Sequence, residues 1–171
     1  MEFGKKTKVL TTIAILTALS VVFSLFFTFR VGTFLKFSPV FIAVALAAKT
    51  YGVTGGVLVA VMSDFIQYLM FPSNGFSVGI FISNVLLGLV FGIFLHNDIN
   101  FKKILSATLI SQTVCTVLIP TLFWVYIEKW YPTIESIIYW RILQALIMFV
   151  LMIIVFYLIF IKSSFLKKLG F

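Results

Sequence analysis

SDFIQYLMFPSNGFSVGIFISN, residues 63–84, joins two long apolar runs across a break made of Pro72, Ser73, Asn74 and Gly75. The runs on either side extend it to residues 57–92. Each carries polar groups on the side of the break: Asp64 and Gln67 before it, Ser77 and Asn84 after it. A helical hairpin solvated by lipid has no use for an acid and two amides at that depth, because each is costly to dehydrate. The rest of the chain reads as the walls and lid of whatever those groups bind.

The composition fixes the solvent. Of 171 residues, 62% are hydrophobic and 11% charged, against about 25% charged in a soluble domain. Apolar runs near the roughly 20 residues that span a bilayer as a helix recur along the chain. The expectation is an all-α integral membrane protein forming one domain over residues 1–171, embedded in the lipid bilayer. The net charge of +8 does not indicate nucleic acid, because the basic residues sit in short clusters between apolar runs, as topology signals do. The single cysteine, Cys115, lies inside an apolar run and permits no intrachain disulfide. The run after KKTK is too long for a signal-peptide core and lacks a small-x-small cleavage site, so it reads as a retained first helix.

Six transmembrane helices are expected, over residues 9–29, 36–49, 52–71, 76–96, 103–127 and 137–161; the second is short for a span. With the N-terminus inside, the inner segments hold Lys5, Lys6, Lys8, Lys49, Lys102, Lys103, Lys162, Lys167 and Lys168. The outer segments hold Arg30, Lys36, Lys129 and Arg141. Nine basic residues against four satisfies the positive-inside bias and places both termini in the cytoplasm. Small residues recur at four-residue spacing: Ala14 and Ala18, Ala43 and Ala47, Gly52, Gly56 and Ala60, and Gly88 and Gly92. Such spacing lets helix backbones approach closely, either within the bundle or at a docking face for another membrane subunit.

Depth follows from the rise of a helix. At about 1.5 Å per residue, Asp64 lies roughly 10 Å below the outer face, Asn84 roughly 12 Å, and Arg141 and Gln144 roughly 6 and 10 Å. Trp124 and Pro120 lie at comparable height, and Arg30 and Lys36 flank the outer turn between the first two spans. Polar groups from separate helices thus arrive at one level in the outer half. Asp64 and Gln67 share a helix face, as do Arg141 and Gln144, each pair being three residues apart. Two readings stand: an internal Asp64–Arg141 ion pair that fixes packing, or a pocket open to the outside.

A pocket of this make-up suits a planar heterocycle with an acidic tail. Arg30, Lys36 and Arg141 attract and pair with an acid. Phe71, Phe76, Phe81, Phe123, Trp124 and Trp140 offer faces for a flat ring. Asp64, Gln67, Asn84 and Gln144 meet the donors and acceptors on its edge. The one histidine, His96, sits by Asn97 and Asp98 at the inner end of the fourth span and reads as a solvated turn residue. No metal set surrounds it, and no cofactor is called for.

LKFSP before the short second span, SDFIQYLMFPSNGFSVGIFISNVLLGLVFGIFL, and PTLFWVYI followed by YWRILQALIM resemble the substrate-binding S components of energy-coupling factor (ECF) vitamin transporters, most of all the folate-specific ones. The family's SD-x-x-x-Y/F-x-x-x-P-x-G-x-F order and G-x-x-x-G fourth span fall on Ser63, Asp64, Tyr68, Pro72, Gly75, Phe76, Gly88 and Gly92. Its last-span arginine falls on Arg141. Two features depart: the basic entry to the second span is spaced differently, and Gln144 stands where a lysine is often found. The resemblance covers about residues 14–154. It implies a six-helix bundle in the plasma membrane of a prokaryote, with the vitamin bound near the outer face at submicromolar affinity. It adds Tyr68 to the ligand residues. It also implies that the Ala14–Ala18 face docks a membrane-embedded T component driven by two cytoplasmic ATPase subunits. The chain itself has no G-x-x-x-x-G-K-[ST] phosphate loop, so ATP-driven uptake needs other chains.

Other ligands of this class are another vitamin or precursor: hydroxymethylpyrimidine, a queuosine precursor or pantothenate. An intramembrane enzyme is disfavoured, because the outer half offers no nucleophile–base pair. A channel is disfavoured because the polar groups stop halfway.

Overall fold

The structure is a computed structural model that describes residues 2–31, 35–70, 76–97 and 99–162, with Arg30 and Lys36 described by backbone only. The break at Pro72–Gly75, together with Phe71, Asp98, Lys167 and Lys168, lies outside the described residues. Among the described residues, five helices are long and apolar enough to cross a membrane: α1 (Glu2–Phe26), α2 (Val40–Met70), α3 (Val78–Leu95), α4 (Phe101–Ile127) and α5 (Glu135–Ile161). A short antiparallel ribbon, β1 (Phe29–Val31) and β2 (Leu35–Phe37), connects α1 to α2.

The expected second and third spans are the two helical limbs of α2, interrupted at Gly52 (φ 66°, ψ −150°). A positive φ costs an L-residue with a side chain about 1–2 kcal/mol, and glycine almost nothing. The interruption folds the chain back on itself. A Cβ built on Gly56 would lie 3.1 Å from the Ala48 Cβ, whereas eight residues of straight helix would separate them by about 12 Å. Limb 40–51 rises only about 18 Å, short of the roughly 30 Å of a bilayer core, as its length in sequence foretold. One expectation is corrected at the start of that span: Lys36 and Phe37 are strand and not helix, as is Phe29 at the end of the first expected span. The ribbon is closed at its base by Thr28, whose hydroxyl donates to the Ser38 hydroxyl at 2.9 Å. Pro39 then precedes the first turn of α2, where its missing N–H costs nothing.

Limb 53–70 and α3 run antiparallel at backbone contact. A Cβ on Gly88 would lie 2.7 Å from the carbonyl carbon and oxygen of Gly56, and one on Gly92 would lie 2.3 Å from the Val53 Cα. In lipid no hydrophobic force drives helices together, so close van der Waals approach through small residues is what binds them. Below this seam Phe91 and Phe156, both fully buried, meet edge-to-face at 5.3 Å, and Phe41 joins Phe156 at 5.6 Å. At the same end as Gly52, Lys49 donates to the carbonyls of His96 (3.3 Å) and Asn97 (2.8 Å). It thereby caps the carbonyl end of α3 with a cation. His96 is exposed there, with Nδ1 3.2 Å from the Lys49 carbonyl.

α4 is wound wide. Ser111–Leu118 and Phe123–Ile127 are π-helical, with the Ile119 N–H reaching the Val114 carbonyl five residues back. Pro120 lies between them. It has no N–H to give and crowds the carbonyl four residues before it, and the wider winding on both sides accommodates it. α4 and α5 are antiparallel, linked by Gln112 Nε2 to Met152 Sδ at 3.0 Å near one end and by Trp124 against Arg141 near the other.

Candidate functional site

The antiparallel order of limb 53–70 and α3 sets Asp64 opposite Asn84, because the same register that abuts Gly56 and Gly88 continues toward the break. Asn84 Nδ2 donates to Asp64 Oδ1 at 2.9 Å, and both side chains are half-buried. One turn further along α2, Gln67 donates from Nε2 to the Ser63 carbonyl at 3.1 Å and accepts from the Ser24 hydroxyl of α1. Three helices therefore contribute to one hydrogen-bonded layer. Tyr68 and Phe76, on opposite sides of the break, meet edge-to-face at 5.2 Å, and Phe76 continues to Phe81 at 5.8 Å.

The next residue, Ser77, opens a second cluster. It is the N-cap of α3: its oxygen accepts from the Ile80 N–H at 3.3 Å, which satisfies one of the orphan donors of a helix start. The same oxygen accepts from Trp124 Nε1–H at 3.2 Å, while the hydroxyl donates to Glu128 Oε1 at 2.8 Å. Glu128 Oε1 also accepts from the Gly79 N–H at 3.3 Å, a favourable place for an anion at a helix N-terminus. On the other side of Trp124 lies Arg141, its Cζ 3.9 Å from the ring centroid. Arg141 is 7% exposed; its Nη1 donates to Gln144 Oε1 at 3.4 Å. Its Nε and Nη2 are buried with no hydrogen-bond partner among the described residues.

Of the residues singled out in the sequence, Asp64, Gln67, Tyr68, Phe76, Asn84, Trp124, Arg141 and Gln144 all fall at the end of the bundle that carries the break and the start of α5. The opposite end instead holds Lys49 and His96. Arg30 and Lys36 are direct partners in the ribbon register, and β2 packs against α5. Ala14 and Ala18 are exposed on the outer face of α1. The Asp64–Arg141 ion pair, one of the two readings left open, is not among the contacts of Arg141 with described residues, which are to Gln144 and Trp124. Trp124 is 7% exposed and already has Arg141 over its ring, with Trp130 and Tyr131 rings at 5.7 Å centroid distance. It acts here as a seat for the cation, a role that the sequence reading did not give it.

Sequence reasoning missed two members, Ser24 and Glu128. Ser24 carried no signal beyond lying on the first span. Glu128 reads as a loop acid, and only the fold brings it to the N-terminus of α3. Among the described residues, no three His, Cys, Asp or Glu side chains are placed to hold a metal ion.

A sequence model of the family described as "ECF transporter, substrate-specific component" matches residues 8–163. No curated protein matches the chain in sequence. Among solved structures, the crystal structure of FolT bound with folic acid aligns with a TM-score of 0.81 at 25% identity, covering 92% of this chain and 95% of that one. A structure of the S component of a bacterial ECF transporter aligns with a TM-score of 0.60 at 22% identity, covering 88% and 94%.

Proposed function

The chain belongs to the family of ECF transporter substrate-specific components, and from that premise we propose that it is the membrane-embedded capture subunit of a vitamin importer, binding folate from outside. One observation carries the reading. Arg141 is buried with two nitrogens unpartnered among the described residues, at the bundle end that also holds the Asp64–Asn84 pair. A buried guanidinium without an acid is costly, and a carboxylate that accepts from its spare nitrogens removes that cost.

Folate has both halves of the required chemistry. Its pteridine is flat, with donors and acceptors along one edge, and suits Asp64, Gln67, Asn84 and Gln144 beside the rings of Tyr68 and Phe76. Its glutamate tail carries carboxylates for Arg141 and for the pair Arg30 and Lys36. These two are opposite each other in the ribbon. The likeness to FolT bound with folic acid supports the same ligand.

Counting the two limbs of α2 separately gives six helical segments in a prokaryotic plasma membrane, the limb 40–51 being the short one, with both termini cytoplasmic by the positive-inside bias. The exposed Ala14–Ala18 face then meets the T component, which two ATPase subunits drive. Titration calorimetry of the purified chain with folic acid tests the ligand. One site of submicromolar affinity is expected; no binding of folic acid alongside tight binding of another vitamin contradicts the reading.

A further inference from the structure

Ser77 is used to capacity. A serine hydroxyl has one hydrogen and two lone pairs. Here the hydrogen goes to Glu128 Oε1, and the lone pairs go to Trp124 Nε1–H and the Ile80 N–H. The carboxylate has no hydrogen to return, so Glu128 decides which way the Ser77 lone pairs point. Glu128 is pinned in turn. Its N–H donates to the Phe123 carbonyl at 2.8 Å, its Oε1 also takes the Gly79 N–H, and the next residue, Lys129, turns the chain with φ 52°.

We propose that Glu128 is a positioning residue of the ligand site. By taking the Ser77 proton it fixes the Trp124 ring, and through that ring the Arg141 guanidinium, in the attitude that meets the ligand's acid group. The inference rests on the folate reading above. Capping of α3 does not account for the arrangement, since Ser77 already caps through Ile80 and a cap requires no indole. Packing does not account for it either. Glu128 Oε2 is buried with no hydrogen-bond partner among the described residues, which is a cost to the fold. Charge supplies a further reason: among the described residues, the contacts of Arg141 include no acid, and Glu128 is the anion on the far side of the same indole.

The full chain in detergent micelles, with folic acid as probe, tests this. Glu128→Ala is expected to weaken folic acid binding about tenfold, the worth of one hydrogen bond to a charged group. Glu128→Gln keeps an oxygen acceptor in place and is expected to stay within about threefold of the parent. In a Trp124→Phe chain, which lacks the indole N–H, Glu128→Ala is expected to add nothing. An equal loss in both backgrounds overturns the proposal, because Glu128 would then act on the fold and not through Trp124. A second readout needs no ligand. With Trp130 and Trp140 replaced by Phe, Trp124 is the one tryptophan left. Its near-ultraviolet circular dichroism is expected to change on Glu128→Ala and to persist on Glu128→Gln; an unchanged band overturns the proposal. If the parent chain does not bind folic acid, the folate reading falls and the dichroism still decides the role of Glu128. If Glu128→Ala does not fold, Ser77→Ala removes the hydroxyl through which Glu128 acts and is judged by the same two measurements.

Discussion

The guanidinium carbon of Arg141 sits 3.9 Å from the centre of the Trp124 ring. A cation over an indole in a desolvated place gains about 2 kcal/mol, and the planar guanidinium presents its remaining nitrogens edge-on. The pair holds a buried positive charge in a fixed plane without neutralising it, which is the state an incoming carboxylate requires.

Replacing Arg141 therefore strikes affinity directly. Arg141→Ala is expected to cost about 2–4 kcal/mol of folic acid binding, or on the order of 30- to 1,000-fold in Kd. Arg141→Lys keeps the charge but loses the flat stack and the paired donors, and is expected to recover less than half of that loss. Calorimetry on the two variants checks it; an unaltered Kd in Arg141→Ala removes this residue from the site.

Asp64 and Asn84 are expected to act as a unit. Asp64→Ala removes the acceptor of the Asn84 amide and, in this account, the partner of the pteridine edge. The stabilisation by ligand, about 2.7 kcal/mol at a hundredfold excess over Kd, should vanish from thermal unfolding curves. The unliganded protein should still elute as a single species. Full ligand stabilisation in Asp64→Ala would place the heterocycle elsewhere.

The α2–α3 seam tolerates no side chain. A Cβ on Gly88 would come within 2.7 Å of Gly56 backbone atoms, so the helices must separate. Gly88→Ala is expected to destabilise by about 1–3 kcal/mol, and Gly88→Leu to yield aggregated protein on size exclusion. A Gly88→Leu chain with parental melting behaviour would contradict the packing described.

The docking face proposed on α1 gives a test that separates capture from delivery. Ala14→Leu with Ala18→Leu alters exposed positions distant from the polar cluster. Folic acid affinity of the isolated chain is expected to stay within about twofold, since no contact to the ligand site changes. Folate uptake by cells that express the complete transporter is expected to fall. Undiminished uptake would move the docking face off α1.

How much of this was readable beforehand depends on the range of the interaction. The common depth of Asp64, Asn84, Arg141 and Gln144 follows from helical rise alone, and it corresponds to the end where the structure gathers them. Gly52 opened the expected third span, and its positive φ marks where the two limbs of α2 part. The ribbon was hidden, because three-residue strands such as Phe29–Val31 leave no periodicity beside the apolar run of α1. The ion pair drawn between Asp64 and Arg141 joined the only two opposite charges at that depth. The fold instead gives Arg141 an amide three residues along its own helix and an indole from α4. Glu128 and Ser77 are 51 residues apart, and no local pattern encodes such a contact.

Native mass spectrometry of the chain, extracted from membranes and incubated with an equimolar mixture of folic acid, pantothenate and hydroxymethylpyrimidine, tests the central claim most directly. The account predicts one added mass, that of folic acid, lost from the Arg141→Ala chain. A single adduct of either competitor, or a folic acid adduct that survives Arg141→Ala undiminished, would contradict it.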